Sequence, residues 1–148
     1  MDTNELLEFL RNKDYEIIEI KKYVTGHLYL EIIINDVKGV FILDTGAGAT
    51  VIDEKQKVKF NINSDESDKK ATGTGGEMAV QISQNNSLKI GRFKLENIQI
   101  VVMNLDHINN AFKEVGLNEV DGVIGADILT TGNAIIDYTN MILFLNKY

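Results

Sequence analysis

The chain has 148 residues, 44% of them apolar, and a formal net charge of −7 from 15 basic and 22 acidic side chains. That length and apolar content fit one globular unit with a proper core, and with no dense basic cluster a nucleic-acid partner is excluded. The absence of cysteine excludes a disulfide framework, a thiolate nucleophile and a Cys-rich zinc site, and no stretch approaches the roughly 20 apolar residues that cross a bilayer as a helix.

Asp2 and Glu5 stand at capping-box spacing ahead of Leu6, Leu7, Phe9 and Leu10, which predicts a short N-terminal helix covering one end of a barrel. Glu5, Glu8 and Arg11 interrupt its apolar residues, unlike the basic start and unbroken apolar run of a signal peptide, so the expected address is the cytoplasm. From Tyr15 to Leu43 the pattern is that of strands. Leu28, Leu30, Ile32 and Ile34 alternate onto one face, and Thr25-Gly26 and Asn35-Asp36 mark turns. Val40 to Leu43 is apolar on both faces, as an internal strand should be. Residues Asn61 to Gly76 hold most of the turn formers and read as a hairpin or loop.

Ile98, Ile100 and Val102 alternate again, as do Ile136 and Tyr138, and Thr139-Asn140 can turn the chain into Met141 to Leu145. Many short strands with little helix predict an all-β fold, a closed or half-closed barrel with short helices. Residues 1–27 are expected to form a helix-and-strand extension and residues 28–148 the domain proper, with no linker between them.

Two segments carry chemistry. In Phe41-Ile42-Leu43-Asp44-Thr45-Gly46-Ala47-Gly48-Ala49-Thr50 an apolar strand delivers one carboxylate into a Gly-rich turn. Gly46 lets backbone pass close by, and Thr45 can hydrogen-bond inward to brace the loop. About 80 residues on, Val120-Asp121-Gly122-Val123-Ile124-Gly125-Ala126-Asp127-Ile128-Leu129 supplies apolar residues, a Gly and a helix-like segment. The two together resemble the retropepsin-like aspartic proteases, over about Leu28 to Leu145.

The resemblance implies a closed acid-protease β-barrel and an aspartic endopeptidase. It makes Asp44 the catalytic carboxylate, with Thr45 and Gly46 completing the catalytic turn, and Val123-Ile124-Gly125 the segment packed beneath it. Ala47, Gly48, Gly75, Gly76 and Ile124 are the expected substrate contacts. Thr72 to Val80, centred on Gly75-Gly76, is the candidate flap, the alternative being a plain surface loop. No cofactor and no metal is expected; the two histidines, His27 and His107, fit no ligand motif.

The family's mechanism needs two carboxylates sharing a proton, yet one Asp-Thr-Gly triplet occurs in the chain. The expectation is a homodimer with one shared site acting on a peptide or protein substrate. Asp121 and Asp137 are rival partners for Asp44, read instead as a turn residue and a strand end. Asp127 falls where a helix N-cap is expected. Viral members carry acidic residues where this chain has Gly48 and Ala49, and an Arg in the helix that here begins Ala126-Asp127. The dimer contact therefore falls to other elements, such as the Met141 to Leu145 strand.

Ala47 stands where pepsin-like relatives place a hydroxyl that could donate to the ionised acid, so activity is expected nearer neutral pH. The competing function is a dimeric barrel of the same fold that binds peptides or joins an assembly without cutting.

Overall fold

The computed structural model describes residues 3–65, 70–73 and 76–146. Helix α1 (Thr3–Arg11) precedes β1 (Tyr15–Glu19), β2 (Lys21–Lys22), β3 (Leu28–Ile34), β4 (Val37–Leu43) and β5 (Val51–Asp53). Next come β6 (Ser64–Asp65), β7 (Lys70–Gly73), β8 (Gly76–Ala79), β9 (Gln81–Ile90) and β10 (Phe93–Met103). The chain closes with α2 (Asp106–Glu114), β11 (Gly122–Ile124), α3 (Ala126–Thr131), β12 (Ile135–Asp137) and β13 (Ile142–Asn146). No helix among the described residues is long and apolar enough to cross a membrane.

Strands β3, β4, β11, β5, β10 and β9 pair in that order, and β9 returns to β3 to close a barrel. The alternation of Leu28, Leu30, Ile32 and Ile34 holds: all four are buried, with Phe41, Leu43, Ile52 and Ile124 in the same core cluster. Asn35 and Asp36, at φ of 49° and 67°, form the two-residue turn joining β3 to β4. Left-handed turns match the twist of paired strands, and Asn and Asp tolerate them.

Asn35 also clamps the barrel seam. Its Oδ1 accepts from Ser87 N at 2.9 Å, its Nδ2 donates to Phe60 O and Asn86 Oδ1 at 2.9 Å each, and its own N–H donates to Ser87 O. Beside this clamp the sheet closes through Ile33 opposite Lys89 and Ile34 opposite Leu88.

Strand β11 runs parallel to β4 and antiparallel to β5. A β-carbon on Gly122 would strike the Val51 carbonyl oxygen and the Phe41 ring, so only glycine lets three strands converge there. Asp121 locks the crossing: Val40 N donates to its Oδ2 at 2.9 Å and Lys59 Nζ to its Oδ1 at 3.0 Å. It is an almost buried anchor rather than a turn residue. Helix α2, with His107 in its first turn, lays Phe112 into a second cluster with Ile42, Val51, Leu105, Val120 and Val123.

A separate sheet of order β1-β13-β12 accompanies the barrel. Leu143, Phe144 and Leu145 in its central strand are completely buried. Helix α1 packs on β1 of this sheet; Leu10 is buried while Phe9 stays largely exposed. Asp2 lies outside the described residues, as does Gly75. Strands β7 and β8 form an antiparallel ladder whose last pair is Gly73 and Gly76.

Glu16 joins the small sheet to the barrel. Its partial burial would raise the carboxyl's pKa, but the Arg92 amide, the Arg92 guanidinium and the Ile17 amide hold it below the ordinary value. A group whose pKa is lowered by folding stabilises the fold above its unfolded pKa, and that contribution is lost as pH falls through the folded value. Glu16→Gln should therefore cost about 1 kcal/mol near neutral pH and nothing in strong acid, flattening the acid side of a plot of melting temperature against pH.

Candidate active site

Strand β4 ends on three buried residues, Phe41, Ile42 and Leu43, and the next residue, Asp44, is exposed. The backbone is fixed first: Asp44 N donates to Ile124 O at 3.0 Å, continuing the β4–β11 pairing by one residue. The chain then folds back on the carboxylate. Gly46 N donates to Asp44 Oδ1 at 2.8 Å and Ala47 N to Asp44 O at 3.2 Å. A β-carbon on Gly46 would lie 3.2 Å from that carboxylate oxygen. The amide orients the acid without burying it, leaving it open to a substrate or a water molecule.

Beneath this turn the two signature segments interlock. Thr50 is buried, and its hydroxyl donates to Asp127 Oδ1 at 2.8 Å while accepting from Gly125 N at 3.1 Å. Thr50 N donates to Asp127 Oδ2 at 3.0 Å, and Ala126 N to Ala47 O at 2.7 Å. Gly125 sits so close under the loop that a β-carbon would lie 2.6 Å from Ala49 O and 2.7 Å from Ala47 O. The site is thus a carboxylate on a short loop bolted to the start of α3.

Several expectations change at this point. Thr45 is not turned inward; it is exposed and lines the open groove beside Asp44, and within the chain the bracing hydroxyl is that of Thr50. Asp127 is structural as expected, but it lies inside the first turn of α3, whose N-cap is Gly125. Ile124 is completely buried, so it meets no substrate; its carbonyl holds Asp44 in place. Ala47 is half-buried against the second cluster, and Gly48 is exposed with open space where a side chain would stand. The Met141 to Leu145 strand offers no dimer contact, because both edges of β13 are paired and its centre is buried.

The cavity containing Asp44, about 270 Å³, is walled by His27, Leu43, Thr45, Ile136 and Tyr138 among others, and among the described residues it holds no second carboxylate. His27 was passed over as a metal ligand, yet it belongs to this wall, with Nδ1 hydrogen-bonded to Thr25 Oγ1 at 2.8 Å. An adjoining apolar groove of about 370 Å³ runs from Thr45 past Ala126 and Leu129 to Ile136. A further cavity, about 870 Å³, lies away from Asp44 among asparagines near the seam, and its Asn35 and Asn86 are committed to closing the barrel.

Nor do the rival acids offer themselves from elsewhere. Asp121 is bound to Val40 and Lys59, and Asp137 accepts from both the side chain and the backbone of Asn140. Those bonds, the side-chain amide's first, hold the Asp137 carboxyl below its ordinary pKa.

A family model described as aspartyl protease matches residues 30–128, a span that contains both signatures. The chain belongs to this aspartyl protease family. Among solved structures, this chain resembles a retropepsin-like aspartic protease from Rickettsia conorii with a TM-score of 0.57 and 23% identity, over 88% of this chain and 91% of that one. It resembles the EIAV protease, solved in complex with the inhibitor HBY-793, with a TM-score of 0.57 and 16% identity, over 79% of this chain and 98% of that one. No curated relative matches it. The fold expected from the two signatures, a retropepsin-like barrel with few helices, is the fold of this chain.

The Thr50 bolt can be tested directly. Thr50→Val keeps the shape but strands the buried Gly125 N–H and leaves Asp127 Oδ1 with the Ile128 amide alone, which should cost about 1–3 kcal/mol by denaturant unfolding. Thr50→Ser should recover most of that. Gly125→Ala forces a β-carbon onto two carbonyl oxygens and should either prevent folding or displace the Asp44 turn, read as a drop of several degrees or more in melting temperature.

Proposed function

We propose that this protein is an aspartic endopeptidase whose active site is shared by two identical chains, each contributing Asp44. The observation that carries the reading is an exposed, oriented Asp44 in a cavity with no other carboxylate among the described residues. Two such acids brought together by a two-fold axis cannot both ionise, so the pair holds one proton between them. The ionised member takes a proton from water as the water oxygen attacks the scissile carbonyl carbon. The protonated member gives its proton to the carbonyl oxygen, and the tetrahedral intermediate collapses as the amine leaves with a proton. No covalent bond to the enzyme forms.

In this reading Thr45 and Gly46 complete the catalytic turn, while Ala47 and the unobstructed Gly48 border the substrate backbone. The segment Thr72 to Val80, most of whose described residues take part in the β7–β8 ladder, is assigned as the flap that closes over a bound peptide. Its position in the sequence between the two signatures supports that assignment.

The test is to incubate wild-type protein and Asp44→Asn with a diverse peptide mixture from mildly acidic to neutral pH and to identify new termini by mass spectrometry. Cleavage by the wild type, reduced at least about a thousandfold in Asp44→Asn, is expected. A folded wild-type dimer that cuts nothing in the mixture would sink the proteolytic reading in favour of a peptide-binding module.

A further inference from the structure

Among the described residues, His27 is the one side chain in the Asp44 cavity that carries a nitrogen, and the fold holds it in place. Gly26 N donates to Tyr23 O and Tyr23 N to His27 O, each at 2.9 Å, closing the tight turn between β2 and β3. Gly26 takes a φ of 91° there, which residues with a side chain rarely adopt. From that turn Thr25 Oγ1 reaches Nδ1 of the imidazole at 2.8 Å. On another side the ring meets Phe112 of α2 edge-on, with centroids 5.3 Å apart. Phe112 is itself buried and also touches Tyr23, which stacks on Tyr29. An exposed histidine needs no such platform for its own solvation, and the platform fixes where its second nitrogen lies.

The Thr25 bond occupies Nδ1, so Nε2 is what the ring has left to offer the cavity it lines. A neutral imidazole in water favours the tautomer with its proton on Nε2, and the threonine hydroxyl supports that tautomer by donating to Nδ1. If the ring takes up a second proton, the hydroxyl turns to accept and Nε2 keeps its hydrogen. Nε2 is therefore a donor in either state.

The rest of the wall decides what that donor meets. Thr45 and Tyr138 bring hydroxyls, which donate or accept, and apart from Asp44 the remaining lining residues are apolar or glycine. An ionised Asp44 repels a carboxylate brought by a ligand. An aliphatic side chain leaves Nε2 unpaired, and a lysine ammonium has nothing with which to accept from it. A carboxamide meets every condition: its oxygen accepts from Nε2, its NH2 donates to a hydroxyl oxygen, and it carries no charge. We propose that His27 is a specificity-determining residue that draws the side-chain carboxamide of Gln or Asn into the cavity, from the substrate residue next to the scissile bond. The inference rests on the reading of Asp44 as a peptidase site and adds the side chain that this site prefers.

The test uses octapeptide pools, randomised except for one central residue held as Gln, Asn, Glu, Leu or Lys, given to wild type and to His27→Phe near neutral pH. His27→Phe keeps a ring against Phe112 and removes both nitrogens, so a merely structural histidine would be replaced with no effect on selectivity. Wild type should cleave beside Gln or Asn about tenfold faster than beside Leu, the worth of one hydrogen bond. His27→Phe should bring that ratio close to one and leave cleavage beside Leu unchanged. Thr25→Val, which releases Nδ1, should lower the ratio by less. The chain has two histidines, so His107→Gln leaves His27 as the single imidazole for nitrogen NMR. In protein carrying Asp44→Asn and His107→Gln, which should bind without cutting, the Nε2 resonance should move with the Gln pool and stay in place with the Leu pool.

Asp44-dependent cleavage with no carboxamide preference, or with one that survives His27→Phe, would overturn the role of His27 and leave the protease reading intact. A preference for Glu that His27→Phe abolishes would show the ring acting as a cation and overturn the carboxamide assignment. A resonance shift with the Gln pool, in a protein whose wild type cuts no pool, would uphold the inference and defeat the proteolytic reading. No cleavage and no shift would overturn both.

Discussion

The hydrogen-bonded crossing of Thr50 and Asp127 beneath Gly125 is the constraint on which the site depends. Asp44 is held only by local amides and by one backbone bond to Ile124. Its direction is therefore no better defined than the loop that carries it. The loop spans Asp44 to Thr50 between two barrel strands, and a span that short cannot bury a core of its own. It is fixed instead by attachment to a helix start 75 to 77 residues away, through a side chain that both donates and accepts. A low-dielectric setting strengthens such bonds and makes an unmatched partner costly, so the arrangement is close to all-or-none.

The same attachment explains two glycines that otherwise look incidental. Gly122 admits β11 between β4 and β5, and Gly125 lets the loop's carbonyls rest on the chain as it leaves that strand. Barrel closure, strand insertion and orientation of the carboxylate are thus linked. The seam clamp at Asn35 fixes β3 against β9 and the β3–β4 register, and that register carries Asp44 to the mouth of the barrel.

Much of this was legible in the sequence where a local rule sufficed. The alternating leucines and isoleucines of β3 gave the buried face, and Asn35-Asp36 gave the turn. A two-residue turn also sets register: Leu28 pairs with Leu43, and one more step outward places His27 opposite Asp44. That inference was available, but His27 was weighed only as a metal ligand. The Thr50–Asp127 bolt was less accessible, because Thr45 is the more obvious hydroxyl and nothing local announces a partner 77 residues away. Ile124 was misplaced for a related reason. An apolar residue beside a functional glycine can line a pocket or support it, and only the packing decides. The reading of β13 as an interface failed because its pattern is that of a buried central strand, and an apolar strand does not say whether its neighbours come from its own chain.

The aspartates themselves separate structure from chemistry. Asp53 accepts from Lys55 N and Asn109, Asp121 from Val40 N and Lys59, Asp127 from Thr50 and Ile128 N, and Asp137 from Asn140. A carboxylate whose oxygens are filled in this way has little left to offer a substrate. The Asp44 carboxylate accepts one hydrogen bond among the described residues, faces solvent, and lies in a cavity that Ile136 of the exposed β12 edge also lines. An exposed acid alone is an ordinary surface feature, and an unguarded apolar edge alone is a hazard. Thr45 and Ile136 line both the Asp44 cavity and the adjoining groove, so the two features form one continuous surface.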